Sequence, residues 1–279
     1  MQENNKPKAW VIAADMGYGH QRTAFPLRNL APENKIINAN HYQGIPKKDR
    51  KIWKSTRSVY EFISRFKKIP FLGDFIFGIL DEFQKIVKYY PKRDMSYPNW
   101  GVKSNYYLID KGWGKDLIQR LKEDSLPILT SFFTPAFMAE EFKYNNEIYC
   151  IVCDADINRA WVPLHVKKSK IKYLVPCTWA RDRLKLYGVK EENIFLTGYP
   201  LPKENLGSEN LEIVRQDMGY RLLNLDPQKK YQKIYSPLIK NYIGDLPEKP
   251  DHPFTILFSI GGAGAQKEIA LQLVNSLKE

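Results

Sequence analysis

The chain has only three cysteines, Cys150, Cys153 and Cys177, among 279 residues, which excludes a disulfide framework as the basis of its fold. Cys150-Ile-Val-Cys153 has the spacing of a metal-ligand pair, but no second Cys or His pair accompanies it. The same residues lie in an apolar run, Ile148–Cys153, that reads as a buried strand. Residues three apart on a strand face opposite sides of the sheet, so the two thiols diverge, and strand packing accounts for them better than zinc. Long apolar runs are also missing. Nothing approaches the roughly 20 residues needed to cross a bilayer. Ala9–Ala14 is too short for a signal peptide and is followed by no small-residue cleavage site. A cytoplasmic protein is the expectation. There is no internal repeat and no low-complexity tract.

What is present is a hydrophobic share of 43%, enough for one large domain or two smaller ones. The net charge is +12, and aromatics make up 13%, including 17 Tyr. A basic surface attracts phosphate groups, whether in nucleic acid, anionic lipid or nucleotide-sugar. No nucleic-acid-binding motif accompanies the charge.

Residues 8–14 read as a buried strand, followed by the glycine loop Asp15–Gly19, a helix over His20–Leu30 and a strand over Lys35–Ala39. That is the opening of a doubly wound α/β domain. Residues 49–93 interrupt the rhythm with aromatic and basic residues at helical spacing, split by Pro70. They form either a basic amphipathic pair of helices for a membrane surface or an ordinary helical insertion with one face in the core. The alternation resumes with a helix near Ser104–Glu123 and a strand at Leu126–Thr130. A helix then starts near Pro135 with Thr134 as its cap. Strands follow at Ile148–Cys153, Ile171–Val175 and Ile194–Thr197, and the helix Thr178–Tyr187 ends at Gly188. Residues 198–207 look like a linker, and two polar helices fit between Glu209 and Ile243. A fresh strand at Phe254–Ile260, a loop at Gly261–Ala265 and a helix at Gln266–Lys278 read as a new β–loop–α unit, which either packs back on the first domain or starts a second Rossmann-like domain, cut short.

Three motifs carry chemistry. In Asp15-Met-Gly-Tyr-Gly-His20, glycines between strand and helix let the backbone approach a ligand. A His there, with a pKa near neutrality, can take a proton from a hydroxyl. Arg22 occupies the third-glycine place of the dinucleotide fingerprint, so that motif is not met. Gly261-Gly262-Ala263-Gly264-Ala265 is a second phosphate-cradle loop, without the Gly-Lys-Ser/Thr of an ATP-binding P-loop. Asp154-Ala-Asp156-Ile-Asn158-Arg-Ala-Trp161 starts at a strand's carboxyl end, where ligands bind in open α/β sheets. Its two carboxylates can orient a hydroxyl or hold a metal, or they can belong to a solvated turn. No further ligand set is evident, so a metal is not expected.

Taken in order, these motifs resemble the monogalactosyldiacylglycerol synthase and processive diacylglycerol glucosyltransferase family, itself related to the transferase that adds N-acetylglucosamine to lipid-linked muropeptide. Gly17-Tyr18-Gly19-His20 with Ala24 resembles that family's Gly-Gly-Gly-His…Ala loop, and Thr130-Ser-Phe-Phe-Thr-Pro-Ala136 resembles Ser-Thr-His-Phe-x-Pro-Ala. Asp154–Trp161 resembles Asp-Tyr-x-x-His-x-x-Trp, and Tyr173-Leu-Val-Pro-Cys-Thr178 resembles Phe-Val-Pro-Ser. Thr197-Gly-Tyr-Pro-Leu201 resembles Thr-Gly-Ile-Pro-Val, and Gly261–Ala265 resembles the loop that opens the donor domain. Phe132 and Asn158 stand where the family has His, so His20 is the one motif histidine retained.

The resemblance implies a GT-B fold of two Rossmann-like domains. Residues 1–200 would bind the acceptor, with 49–93 as a helical insertion, 201–253 would link, and 254–279 would begin the donor half. It implies inverting transfer of a sugar, UDP-linked, to the hydroxyl of a membrane lipid, with the protein peripheral on an anionic membrane and no cofactor. His20 would be the base, with Asp154 or Asp156 as an orienting or substitute carboxylate. Gly17, Tyr18, Gly19, Phe132, Asn158 and Trp161 would line the acceptor site, and Gly261–Ala265 would meet the donor phosphates. Alternatives are a UDP-sugar 2-epimerase of the same fold and a non-catalytic relative that binds lipid or phosphate.

Overall fold

A computed structural model describes residues 8–66, 86–249, 251, 255–259 and 267–277. They divide into two compact units, the first reaching Pro200 and the second starting at Leu201.

The first unit is an α/β domain with a Rossmann-like, six-stranded parallel sheet. Its elements in chain order are β1 (Trp10–Ala13), α1 (Tyr18–Ala24), β2 (Ile37–Asn38), α2 (Lys47–Phe66), α3 (Trp100–Asp110), α4 (Lys115–Leu121), β3 (Ile128–Thr130), α5 (Phe133–Glu141), β4 (Ile148–Ile151), β5 (Lys172–Val175), α6 (Thr178–Leu186) and β6 (Ile194–Leu196). The strand order is β2-β1-β3-β4-β5-β6. Adjacent strands are all parallel, and both faces of the sheet are covered, which is why the strands read as short continuous apolar runs. The two faces follow the period-two alternation of side chains. Val11, Ala13, Leu129 and Ile151 pack on one side with Ala24 and Ala31. Ile12, Ile128, Ile148 and Cys150 join the larger core on the other side, with Trp113, Ile118, Phe137 and Leu184.

Several elements differ from the sequence reading. The first helix begins at Tyr18, two residues early, and turns into a 3-10 segment at Phe25–Leu30. Pro26 lacks the N–H that a continuing α-helix needs there. The single helix expected over Ser104–Glu123 is two, α3 and α4. Between them the chain passes through Gly112 and Gly114 at φ +93 and +84, backbone angles that suit glycine, while the Trp113 side chain is buried. A Cβ on Gly114 would strike the Met138 side chain, and its N–H donates to the buried Asp49 Oδ2 at 3.0 Å. Thr134 is not the cap of α5. Phe132 holds that place in an extended conformation with no side-chain cap, and Thr134 lies inside the helix, buried. The end of α6 follows expectation: Gly188 at φ +88 allows its N–H and that of Val189 to reach the carbonyls of Lys185 and Leu184.

The second unit contains α7 (Lys203–Leu206), α8 (Glu212–Leu225), α9 (Lys230–Tyr242) and α10 (Lys267–Ser276). The expected pair of helices between Glu209 and Ile243 is present as α8 and α9. The strand expected at Phe254–Ile260 is not formed over its described part, residues 255–259. A strand needs a neighbour to receive its backbone hydrogen bonds, and none is found beside this one among the described residues. No helix among the described residues is long and apolar enough to cross a membrane.

Candidate functional site

The order β2-β1-β3 means that the chain leaves β1 toward one side and later returns to pair with its other side. Open α/β sheets bind ligands at such a reversal, outside the carboxyl ends of the strands. Here the segments at that point are Ala14–Gly17 after β1 and Ser131–Phe132 after β3. Gly17 takes φ +145 just before α1, a backbone angle suited to glycine, and the turn brings His20 over the end of β3.

His20 and Ser131 are joined reciprocally. Ser131 Oγ donates to the His20 carbonyl at 2.7 Å, and His20 Nδ1 lies 2.9 Å from the Ser131 carbonyl. A carbonyl only accepts, so Nδ1 carries the hydrogen in the neutral ring and Nε2 is left as a lone-pair base. Cys153 Sγ also lies 3.2 Å from Nδ1 and can donate to Asp154 Oδ2 at 3.8 Å. The ring packs edge-on against Phe132, centroids 4.7 Å apart, with Trp161 at 6.1 Å. Burial pushes the pKa of His20 below its ordinary value, partly opposed by the Ser131 hydrogen bond and the charge of Asp154. Burial and the neighbouring Asp154 push the Cys153 thiol up.

A cavity of about 300 Å³ opens at this point. His20, Phe132, Asp154, Asn158 and Trp161 line it together with Met16, Thr56, Asn105, Phe133, Thr134 and Ala160. Five of the residues singled out from sequence therefore meet around one space. Its floor is aromatic: Phe133 sits 4.3 Å from Phe132 and 5.3 Å from Trp161 between ring centroids. Asn158 also has a local task, since its Oδ1 accepts from Ala160 N–H at 2.9 Å and caps the 3-10 turn Arg159–Trp161. Tyr199, in the loop after β6, reaches Thr23 Oγ1 at 2.8 Å, and that hydroxyl donates to the Gly19 carbonyl.

Other expected residues lie elsewhere. Gly17, Tyr18 and Gly19 shape the turn but do not line the cavity, and Tyr18 is exposed. Asp156 is held by Arg183: Nε to Oδ1 and Nη2 to Oδ2 are both 2.8 Å. Partial burial pushes its carboxyl up, but hydrogen bonds from Arg183, Trp179 and Ile157 N–H bring it below the ordinary range. Gly261, Gly262, Ala263, Gly264 and Ala265 lie outside the described residues, as does 67–85 of the helical insertion.

Sequence reasoning missed Ser131, Cys153 and Thr56. Ser131 follows a strand's carboxyl end, the same signal that singled out Asp154. Cys153 was assigned to a strand that in fact ends at Ile151. Cys150 points into the core while Cys153 meets His20. Thr56 sits on α2 and carried no signal. Among the described residues no group of three or more His, Cys, Asp or Glu side chains comes together to hold a metal.

No protein-family model, no curated protein and no solved structure matches this chain.

Proposed function

We propose that this protein is an inverting glycosyltransferase of GT-B type that moves a sugar from a nucleotide-sugar, UDP-linked, to a hydroxyl of a membrane lipid. One observation carries the mechanism: His20 is fixed through Nδ1 to the Ser131 carbonyl, and its ring lines a cavity at the sheet's reversal point. The burial that lowers its pKa keeps it unprotonated near neutrality, the form a general base needs. The acceptor hydroxyl would pass its proton to Nε2 as its oxygen attacks the anomeric carbon, and UDP would depart from the opposite face. Asp154 lines the same cavity, and its negative charge favours the imidazolium that forms. The apolar floor of Phe132, Phe133 and Trp161 suits an acceptor with an apolar body. Donor phosphates would fall to Gly261–Ala265, a glycine-rich segment resembling the donor loop.

The reading extends to a membrane because α2 presents Lys47, Lys48, Arg50, Lys51, Lys54 and Arg57 to solvent, and such a row is attracted to anionic lipid. The test is turnover of a UDP-sugar with lipid acceptor by the intact protein and its His20→Ala variant. A fall of about 100-fold, the scale of a lost general base, with an unchanged circular dichroism spectrum, is expected. Near-normal turnover in His20→Ala removes this mechanism.

A further inference from the structure

In the second unit, α9 turns an apolar face outward. Tyr231, Ile234, Tyr235, Leu238 and Tyr242 stand at i, i+3, i+4, i+7 and i+11, the spacing of one helix face. All five are exposed, Ile234 at 70% and Tyr242 at 65%, although Pro237 lies inside the helix. Met218, Leu222 and Leu225 of α8 continue the face around a hollow of about 390 Å³, which Leu238 and Tyr242 also line. Single apolar residues scattered on a surface are ordinary, whereas a contiguous patch marks an interaction site. Positive charge borders this one. Lys229, Lys230, Lys233 and Lys240 belong to the same stretch, with no Asp or Glu between Pro227 and Gly244, and all four are exposed. Lys240 pairs with Asp245, and the other three make no ion pair among the described residues. At about 100° per residue, Lys230 and Lys233 fall beside the apolar arc and not within it.

From this arrangement we infer that the face formed by α8 and α9 docks on a membrane surface carrying anionic lipid. Ile234 and Leu238 enter the boundary between headgroups and acyl chains. The tyrosines lie at that boundary, where the ring is in apolar surroundings and the hydroxyl in polar ones. The lysines beside them meet lipid phosphates. A single-stranded nucleic acid would use the lysines and the aromatic rings but would leave Ile234 and Leu238 against its polar groups, so lipid fits the face better. The contact is separate from the basic row of α2 and does not rest on glycosyl transfer.

Flotation of the intact protein with phosphatidylcholine vesicles, with and without phosphatidylglycerol, tests the contact. Lys230→Gln/Lys233→Gln probes the charge and Ile234→Ser/Leu238→Ser the apolar face. Lys167→Gln/Lys168→Gln removes the same charge from an exposed turn elsewhere, and circular dichroism verifies that all three variants fold. Wild type is expected to bind the anionic vesicles more tightly than the neutral ones, and less tightly as salt rises. Each α9 pair should weaken binding to anionic vesicles by about tenfold or more, and the distant pair by less than about twofold. No binding by wild type, equal loss in the distant pair, or binding left intact in both α9 variants overturns the proposal. A wild-type dimer that Ile234→Ser/Leu238→Ser turns into a monomer, with vesicle binding intact, also overturns it and assigns the face to a second copy of the chain. Binding of single-stranded oligothymidylate with no binding of vesicles overturns it in favour of nucleic acid.

Discussion

Ser131 and His20 hold each other at two points, through the Ser131 hydroxyl on the His20 carbonyl at 2.7 Å and the His20 ring on the Ser131 carbonyl at 2.9 Å. The first contact ties the start of α1 to the end of β3, and the second orients the ring. A base held this way has a pH signature. Burial lowers the pKa of His20, and the neutral form, which accepts the proton, is present above that pKa. The acid limb of kcat/KM is therefore expected below about pH 6.5, the ordinary histidine value. Asp154→Asn removes an influence that raises the pKa, so the limb should move to still lower pH. A limb at or above 6.5 in the wild type, or an upward shift in Asp154→Asn, contradicts the assignment.

Cysteine reactivity gives an independent check on the geometry. Burial pushes both the Cys150 and Cys153 thiols up, and the thiolate is the species that reacts. Both should resist iodoacetamide at neutral pH in the folded protein and become modified on unfolding, read by peptide mass spectrometry. Rapid native-state labelling of Cys153 would mean that it does not sit against His20.

Asp156 is expected to matter for stability. Its partner Arg183 is almost wholly buried, at 1% side-chain exposure, and also donates to the Val87 carbonyl at 2.8 Å. Removing one member of such a pair strands the other. Asp156→Asn should cost roughly 3 kcal/mol and lower the melting temperature by several degrees. The Asp156 pKa is depressed in the folded state, so this contribution is complete above the unfolded aspartate value, near 4, and is lost as pH falls through the folded one. An unchanged melting temperature in Asp156→Asn would show that the pair contributes little.

The sheet was largely legible in the sequence because each strand of a two-sided parallel sheet is a short apolar run flanked by loop residues, as at Trp10–Ala13 and Ile148–Ile151. The role of Gly112 and Gly114 was not legible: the chain shows two glycines inside a helical pattern, and their positive φ angles, which break it, appear only in the folded chain around the buried Trp113. At the site, His20 and Asp154 could be read from their places after strands. Asp154 and Asp156 could not be told apart, because what separates them is Arg183, an ion-pair partner 27 positions along the chain. Cys153 was hidden by a strand boundary, which local pattern fixes least well.

Thr56 lines the aromatic cavity, and its neighbour Arg57 lines a separate hollow of about 330 Å³ beside α2. Successive residues on a helix are about 100° apart around its axis, so α2 is a partition with a chamber on each side. Trp53 pins that partition, its indole 4.7 Å from Trp113 and 6.3 Å from Phe132 between ring centroids. Trp53 itself lines the hollow and stands behind the Phe132 wall of the cavity, so a smaller side chain at this one position would enlarge both spaces.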